Sequence, residues 1–238
     1  MRKLLLLAFL VVGMTAHAEN IVINDDDEEE IENKGGVELG KGKDDNDRWS
    51  MHFALGVDIP TGAPSGVEFA PFRSWEFNWT VVQYDYTPGK ANTTLSAGLG
   101  FNWRSYTLSG HKNGFFKQND VVVVGEVGGG YDEFASNINT TALTMPLLVK
   151  QKFSKSFAVS LGAQLNWNFY ARIHNYMEEG DHETDDYTKK IGQRPFTVDV
   201  LGMLHFGDFA VYCKYSPMSV LKKDRGVDFK SLAVGIYF

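Results

Sequence analysis

Two histidines, His174 and His182, stand in a strongly acidic stretch with Glu178, Glu179, Asp181, Glu183, Asp185 and Asp186 around them. An imidazole can serve as the base that activates a hydroxyl nucleophile, and carboxylate oxygens suit calcium or magnesium. Neither chemistry is assigned. No serine lies close by on this stretch, and a long acidic loop is a poor platform for a rigidly placed base. His52 and His205 are too far apart in the chain to resemble zinc-ligand spacing, and Cys213 is the only thiol, which excludes a cysteine-based zinc site and an intramolecular disulfide. Gly128-Gly129-Gly130 follows a valine run, but the Gly-x-x-x-x-Gly-Lys pattern and following helix of a phosphate loop are missing. No residue is therefore expected to be catalytic, cofactor-binding or metal-ligating, and the chain is expected not to be an enzyme.

The elements that must position these residues have a period of two. Trp49, Met51, Phe53, Leu55, Val57 and Ile59 alternate with Ser50, His52, Ala54, Gly56 and Asp58. The same holds for Trp75, Phe77, Trp79 and Val81, for Leu95 to Trp103, and for Leu143, Met145, Leu147, Val149 and Phe153. It holds again from Phe157 to Phe169, Phe196 to Phe206, Phe209 to Tyr215, and for Leu232, Val234, Ile236 and Phe238. Alternation over such lengths predicts strands. Pro146 lies inside the fourth run, which predicts a local bulge or a missing ladder bond.

Connections alternate as regularly as side chains. Residues 87–91, 154–156 and 207–208 are short and rich in turn residues. Residues 60–74, 107–139, 173–194 and 217–227 are long. Short turns at one end and long loops at the other predict an eight-stranded antiparallel up-and-down transmembrane β-barrel spanning 49–238. Residues 119–127 are expected to extend as a strand above the membrane, with the three glycines as a bend.

Residues 1–18 have the form of a signal peptide: Arg2 and Lys3, an apolar run from Leu4 to Val12, and Ala16-His17-Ala18 as the cleavage site. Residues 19–48 are expected to be a flexible acidic periplasmic leader, since Asp25 to Glu30 and Asp44 to Asp47 sit among glycines with no aromatic residue. An EF-hand spacing is missing there. The net charge of −7 argues against nucleic acid as a partner.

Alternation alone leaves open which face is the core. The signal peptide, the loop pattern and the aromatic final residue of the last strand favour the apolar face outward, toward lipid. Trp49, Trp75, Trp103, Trp167, Phe206 and Phe238 then fall at strand ends as interfacial girdles. Eight strands leave room for side chains rather than a pore. Inside, Arg104, Lys150, Arg172 and Lys214 are expected to pair with Asp58, Glu76 and Asp199 as a polar plug. His52 and His205 are expected to be hydrogen-bonded lumen residues, and Cys213 an inert residue on the lipid face.

Residues 143–150, Leu-Thr-Met-Pro-Leu-Leu-Val-Lys, followed by a short turn and a Gly-rich strand, resemble the PorT-like outer-membrane β-barrel family of Bacteroidetes. The acidic leader is also similar. The resemblance covers 49–238 and implies an eight-stranded porin-like barrel in the cell outer membrane, with no defined substrate for most members; one branch is associated with protein secretion. The expected role is structural, or surface binding through the extracellular loops. Expected partners are outer-membrane lipid and lipopolysaccharide, whose phosphates the acidic loop could share through divalent cations, and the barrel-assembly machinery, which by resemblance reads a C-terminal strand ending in Phe238. The alternatives are a lipid-modifying outer-membrane enzyme, which a fixed Ser–His pair at the outer rim would favour, an accessory component of a secretion or envelope complex, and a soluble periplasmic barrel.

Overall fold

The computed structural model describes residues 36–41, 47–88 and 91–238. The signal peptide and most of the acidic leader lie outside the described residues. The strands, in chain order, are β1 (Val37–Lys41), β2 (Arg48–Thr61), β3 (Trp75–Tyr86), β4 (Thr93–Thr107), β5 (Asn113–Gln118) and β6 (Val121–Glu126). They continue with β7 (Glu133–Lys152), β8 (Phe157–Glu179), β9 (His182–Lys189), β10 (Phe196–Phe206), β11 (Phe209–Ser216) and β12 (Lys230–Tyr237).

Eight of them form a closed antiparallel ring in the order β2, β3, β4, β7, β8, β10, β11, β12 and back to β2. The closing seam runs from Lys230 opposite Thr61 to Tyr237 opposite Ala54. Phe238 and Phe53 then exchange both main-chain hydrogen bonds, at 2.8 and 3.0 Å. Closure satisfies every edge that hydrocarbon would leave unpaired. Gly207 turns β10 into β11 with φ +60°, in a two-residue hairpin between Phe206 and Phe209. Glycine first in such a loop is what a type II′ turn needs.

The structure decides which face is the core. The charged and amide-bearing face points inward: Asp58, Glu76, Gln164 and Asp199 are 0% exposed and Lys214 2%. Leu55, Leu99, Leu161, Val200, Val211, Val234 and Ile236 point outward and lie exposed around the ring. An unbroken apolar belt around a polar interior is untenable in water, and it is what a lipid bilayer requires. Among the described residues, no helix is long and apolar enough to cross a membrane; this chain crosses with strands. Aromatic rows bound the belt. Trp49, Tyr86, Phe153, Phe206 and Phe209 lie at the short-turn end, and Trp75, Trp103, Trp167, Phe169 and Phe196 at the long-loop end.

Pro146 keeps its place in the ring without a bulge. The β4–β7 ladder runs Ala97 opposite Leu147 and resumes at Gly100 opposite Thr144, so pairing lapses beside the proline while register holds. The nearby irregularity lies elsewhere: Phe169 is the extra residue where Thr141 faces Tyr170 and Ala142 faces Asn168. That bulge reverses the facing of β8 above it, so Ala171, Ile173 and Asn175 point inward and Arg172 and His174 outward.

Two segments read as loops or leader form strands. Residues 37–41, within the span read as the acidic leader, pair with β2 from Met51 to Arg48. They use the edge of β2 that β12 leaves beyond Phe53. The long connections are also ordered. β7 and β8 run 20 and 23 residues, well past the ring, and β9 pairs with the upper part of β8. β5 and β6 form a hairpin through Asn119 and Asp120, whose φ values of 49° and 62° fit a type I′ turn. Valines 121–124 and Gly125 are therefore a strand as expected, with Gly129 at φ +139° in the bend after it.

Candidate functional site

Three features could do chemistry: the polar interior, the chamber at the short-turn end, and the cap at the long-loop end.

The interior is a connected set of ion pairs and amides. Glu76, reached from β3, lies 2.7 Å from Lys214 Nζ and 3.2 Å from Arg104 Nε, and Tyr212 donates its hydroxyl to it at 2.7 Å. Asn102 adds a fourth donor at 3.2 Å. Arg104 reaches Asp199 at 2.5 Å through its other edge and Ser216 at 3.2 Å. Ser216 also donates to Asp199, and Ser231 to Asp58 Oδ1. Asn78, Gln164, Asn166 and Thr197 continue the network across the lumen. Among the described residues, the carboxyl and basic side chains of this core are three acids (Asp58, Glu76, Asp199) and two bases (Arg104, Lys214). Asp58 Oδ2 is a buried atom without a hydrogen-bond partner. These contacts fill the ring as a plug, as the strand count led one to expect.

Two expected members are placed elsewhere. Arg172 is not in the lumen: the Phe169 bulge turns it outward, where its guanidinium lies 4.5 Å over the Tyr187 ring. Lys150 lines the chamber at the short-turn end and does not touch the three acids. Strict alternation from Trp167 put Arg172 inside, and a single inserted residue reversed it.

The short-turn chamber has a cavity of about 100 Å³. His52 and His205 face it, each hydrogen-bonded as expected of lumen residues. Ser50 Oγ lies 2.8 Å from His52 Nε2, and His52 Nδ1 lies 3.2 Å from the Phe238 carbonyl oxygen. In the neutral ring whose Nδ1–H donates to that carbonyl, Nε2 is the acceptor facing Ser50, whose hydroxyl also lies 3.5 Å from Asp85 Oδ2. Ser160 Oγ lies 2.7 Å from His205 Nε2. Ser50 and His52 are two apart on one strand face and were legible as neighbours. Ser160 and His205 meet across β8 and β10, which one sequence cannot show. Both pairs have nucleophile–base spacing. Ser50 is nonetheless 8% and Ser160 1% exposed. Ser50 is also flanked by paired strands on both sides, at Glu38 and Gln83, which occupy the main-chain N–H groups that an oxyanion hole would use.

At the other end, the long connections interlock over the ring. Tyr106, Leu108, Phe115, Val122, Ile138, Ile173, Ile191, Leu221 and Phe229 form one buried apolar cluster drawn from several of these segments. Bridges join Phe69 to Leu108, Val122 to Gly226 and Gln193 to Leu221. The acidic stretch is the β8–β9 hairpin, not an irregular loop. His174 Nε2 lies 2.6 Å from Asp185 Oδ1 and its ring stacks on Tyr187 at 4.6 Å, while His182 sits exposed near the hairpin tip. The two histidines are not brought together. In the β5–β6 turn, Lys117 lies 2.7 Å from Asp120 and holds that carboxyl below its ordinary range. Among the described residues, no group of three or more His, Cys, Asp or Glu side chains could hold a metal ion. Cys213 is exposed on the apolar belt.

No protein-family model matches the chain, and no curated protein matches it. Among solved structures, it is similar to Ail, the attachment invasion locus protein of Yersinia pestis, at 10% identity and a TM-score of 0.33, over 81% of this chain and 99% of that one. The barrel rests on this chain's own strand pairing, closed from β2 to β12.

Proposed function

We propose that the chain is an integral protein of the cell outer membrane with a plugged lumen and a structural or surface-binding, non-enzymatic role through its long-loop cap. The observation that supports this most is the inverted polarity of the ring: an outward apolar belt around a buried ion-pair network. Bilayers spanned by strands need a closed barrel, and bacterial barrels of this kind place short turns in the periplasm and long loops outside. The ordered cap is then the extracellular face and the Ser50–His52 chamber the periplasmic one. Outer-membrane lipid and lipopolysaccharide surround the belt, and assembly machinery acts on the chain during insertion. Residues 143–150 favour membership in the PorT-like family of Bacteroidetes.

Membrane fractionation with unboiled gel mobility tests this. The protein is expected in the outer-membrane fraction, with a folded band that shifts on boiling. Recovery as a soluble periplasmic protein would overturn it.

The two Ser–His pairs favour a second reading, a lipid-modifying enzyme. They lie at the end opposite the outer rim, and both serines are enclosed, which places this reading second. A fluorophosphonate probe that labels wild type but not Ser50→Ala would promote it. The accessory-component alternative expects a stable partner to co-purify from detergent.

A further inference from the structure

We infer that Arg172 and Lys189 form a binding site for the phosphate of an outer-leaflet lipid headgroup. The inference rests on the outer-membrane reading and deepens it by naming a lipid contact.

Arg172 on β8 and Lys189 on β9 are direct partners in the antiparallel ladder. Both therefore project from the same face of the sheet, and above the Phe169 bulge that face is the outer one. Like charges placed directly opposite one another destabilise a strand pair. Among the described residues neither makes an ion pair, and Lys190 adds a third cation next in sequence. Carboxylates are abundant nearby but higher on the hairpin. On the outer face, Asp185 pairs with Tyr176 and Glu183 with Glu178, and Asp185 is engaged by His174. Charge is thus sorted by height, cations low and acids at the tip.

The cations sit where lipid phosphates are. Trp167, Phe169 and Phe196 form the aromatic row directly below them, with Phe196 66% exposed. Arg172 is three residues beyond Phe169. A strand rise of about 3.3 Å per residue at a tilt near 40° places it about 8 Å above that row. The headgroup layer on each side of the hydrocarbon core is about that deep. Tyr187 stacks on the Arg172 guanidinium, which fixes its plane and leaves its N–H edges free for oxygen ligands. A planar fork beside an ammonium matches a phosphate, and a bound phosphate removes the repulsion the bare pair carries.

The test uses the full mature chain folded in detergent micelles, with native mass spectrometry reading lipid retention. The probes are bisphosphorylated lipid A and its dephosphorylated counterpart. Wild type and a Lys112→Gln control, exposed elsewhere on the cap, are expected to retain the phosphorylated lipid roughly tenfold better than the dephosphorylated one. The Arg172→Gln/Lys189→Gln double variant is expected to lose that preference while keeping its heat-shifted band. A folded wild type with no preference, or a double variant that keeps it, would overturn the site and leave the barrel reading standing. A wild type with no heat-shifted band and no bilayer insertion would sink both.

Discussion

Glu76→Gln and Asp58→Asn each replace one buried carboxyl group, yet their consequences should differ sharply. Glu76 is held by Lys214, Arg104, Asn102 and Tyr212, and is 0% exposed. Gln keeps the volume and one acceptor oxygen but leaves two buried cations without their shared anion. Breaking a buried pair in this way costs about 3–5 kcal/mol. Asp58 is equally buried, but among the described residues its one hydrogen-bond donor is Ser231, and its second oxygen has no partner. It is the acid in excess of the two bases. Asn retains an acceptor for Ser231, and Asp58 is the one of the three acids in ion-pair contact with neither Arg104 nor Lys214, so its net effect should lie within about 1 kcal/mol of zero or be stabilising. The two variants should therefore differ by about 2 kcal/mol or more, roughly 30-fold in the unfolding equilibrium. Urea unfolding of the barrel folded into lipid vesicles, followed by tryptophan fluorescence, measures both. Equal losses for the two variants would refute the charge accounting of the lumen, and a larger loss for Asp58→Asn would reverse it.

Three further outcomes follow from the same geometry. Planar bilayers should show no stable conductance of porin size, because the lumen is filled and the cap closes over it; a steady large conductance would contradict the plug. Tyr106→Ala, at the centre of the cap cluster and 1% exposed, should cost about 3–5 kcal/mol by the same unfolding assay; a loss below about 1 kcal/mol would show that the cap does not contribute to stability. Deleting Phe238 removes both main-chain bonds to Phe53 at the closing seam and the carbonyl that orients His52. Steady-state levels in the outer-membrane fraction should drop, and unchanged levels would show that the seam closes without it.

The ring was readable because the spanning strands follow one rule over most of their length, a side chain to lipid and the next to the lumen, broken by an inserted residue at Val81 in β3 and at Phe169 in β8, and because turn length alternates with it. The ion pairs of Glu76 with Lys214 and of Arg104 with Asp199 were foreseeable as lumen-face charges, although the partners come from strands far apart in the chain. The departures from the alternating pattern fall where the period breaks. The Phe169 insertion leaves no mark in a pattern of alternating residues, so Arg172 was carried to the wrong side. Above the membrane neither face need be uniformly apolar, so the sequence marks the strand at 121–126 but not β5 or β9. One signal there was available: Asn119-Asp120 between Phe115-Phe116 and the valine run has the two-residue hairpin chemistry of a type I′ turn. The pairing of residues 37–41 with β2 had no such mark, because that segment is short, acidic and glycine-bearing, and only the free edge of β2 below Phe53 creates a place for it.

Cys213 offers a direct test of the inverted barrel without altering the chain. It is the only cysteine in the sequence, and it lies mid-strand on β11 between Val211 and Tyr215 on the outward face. A fluorophore on this thiol, with the protein folded into vesicles, should be quenched by lipids brominated in their acyl chains and left bright by aqueous iodide. Quenching by iodide with no response to brominated lipid would place Cys213 in water and contradict the membrane-spanning barrel.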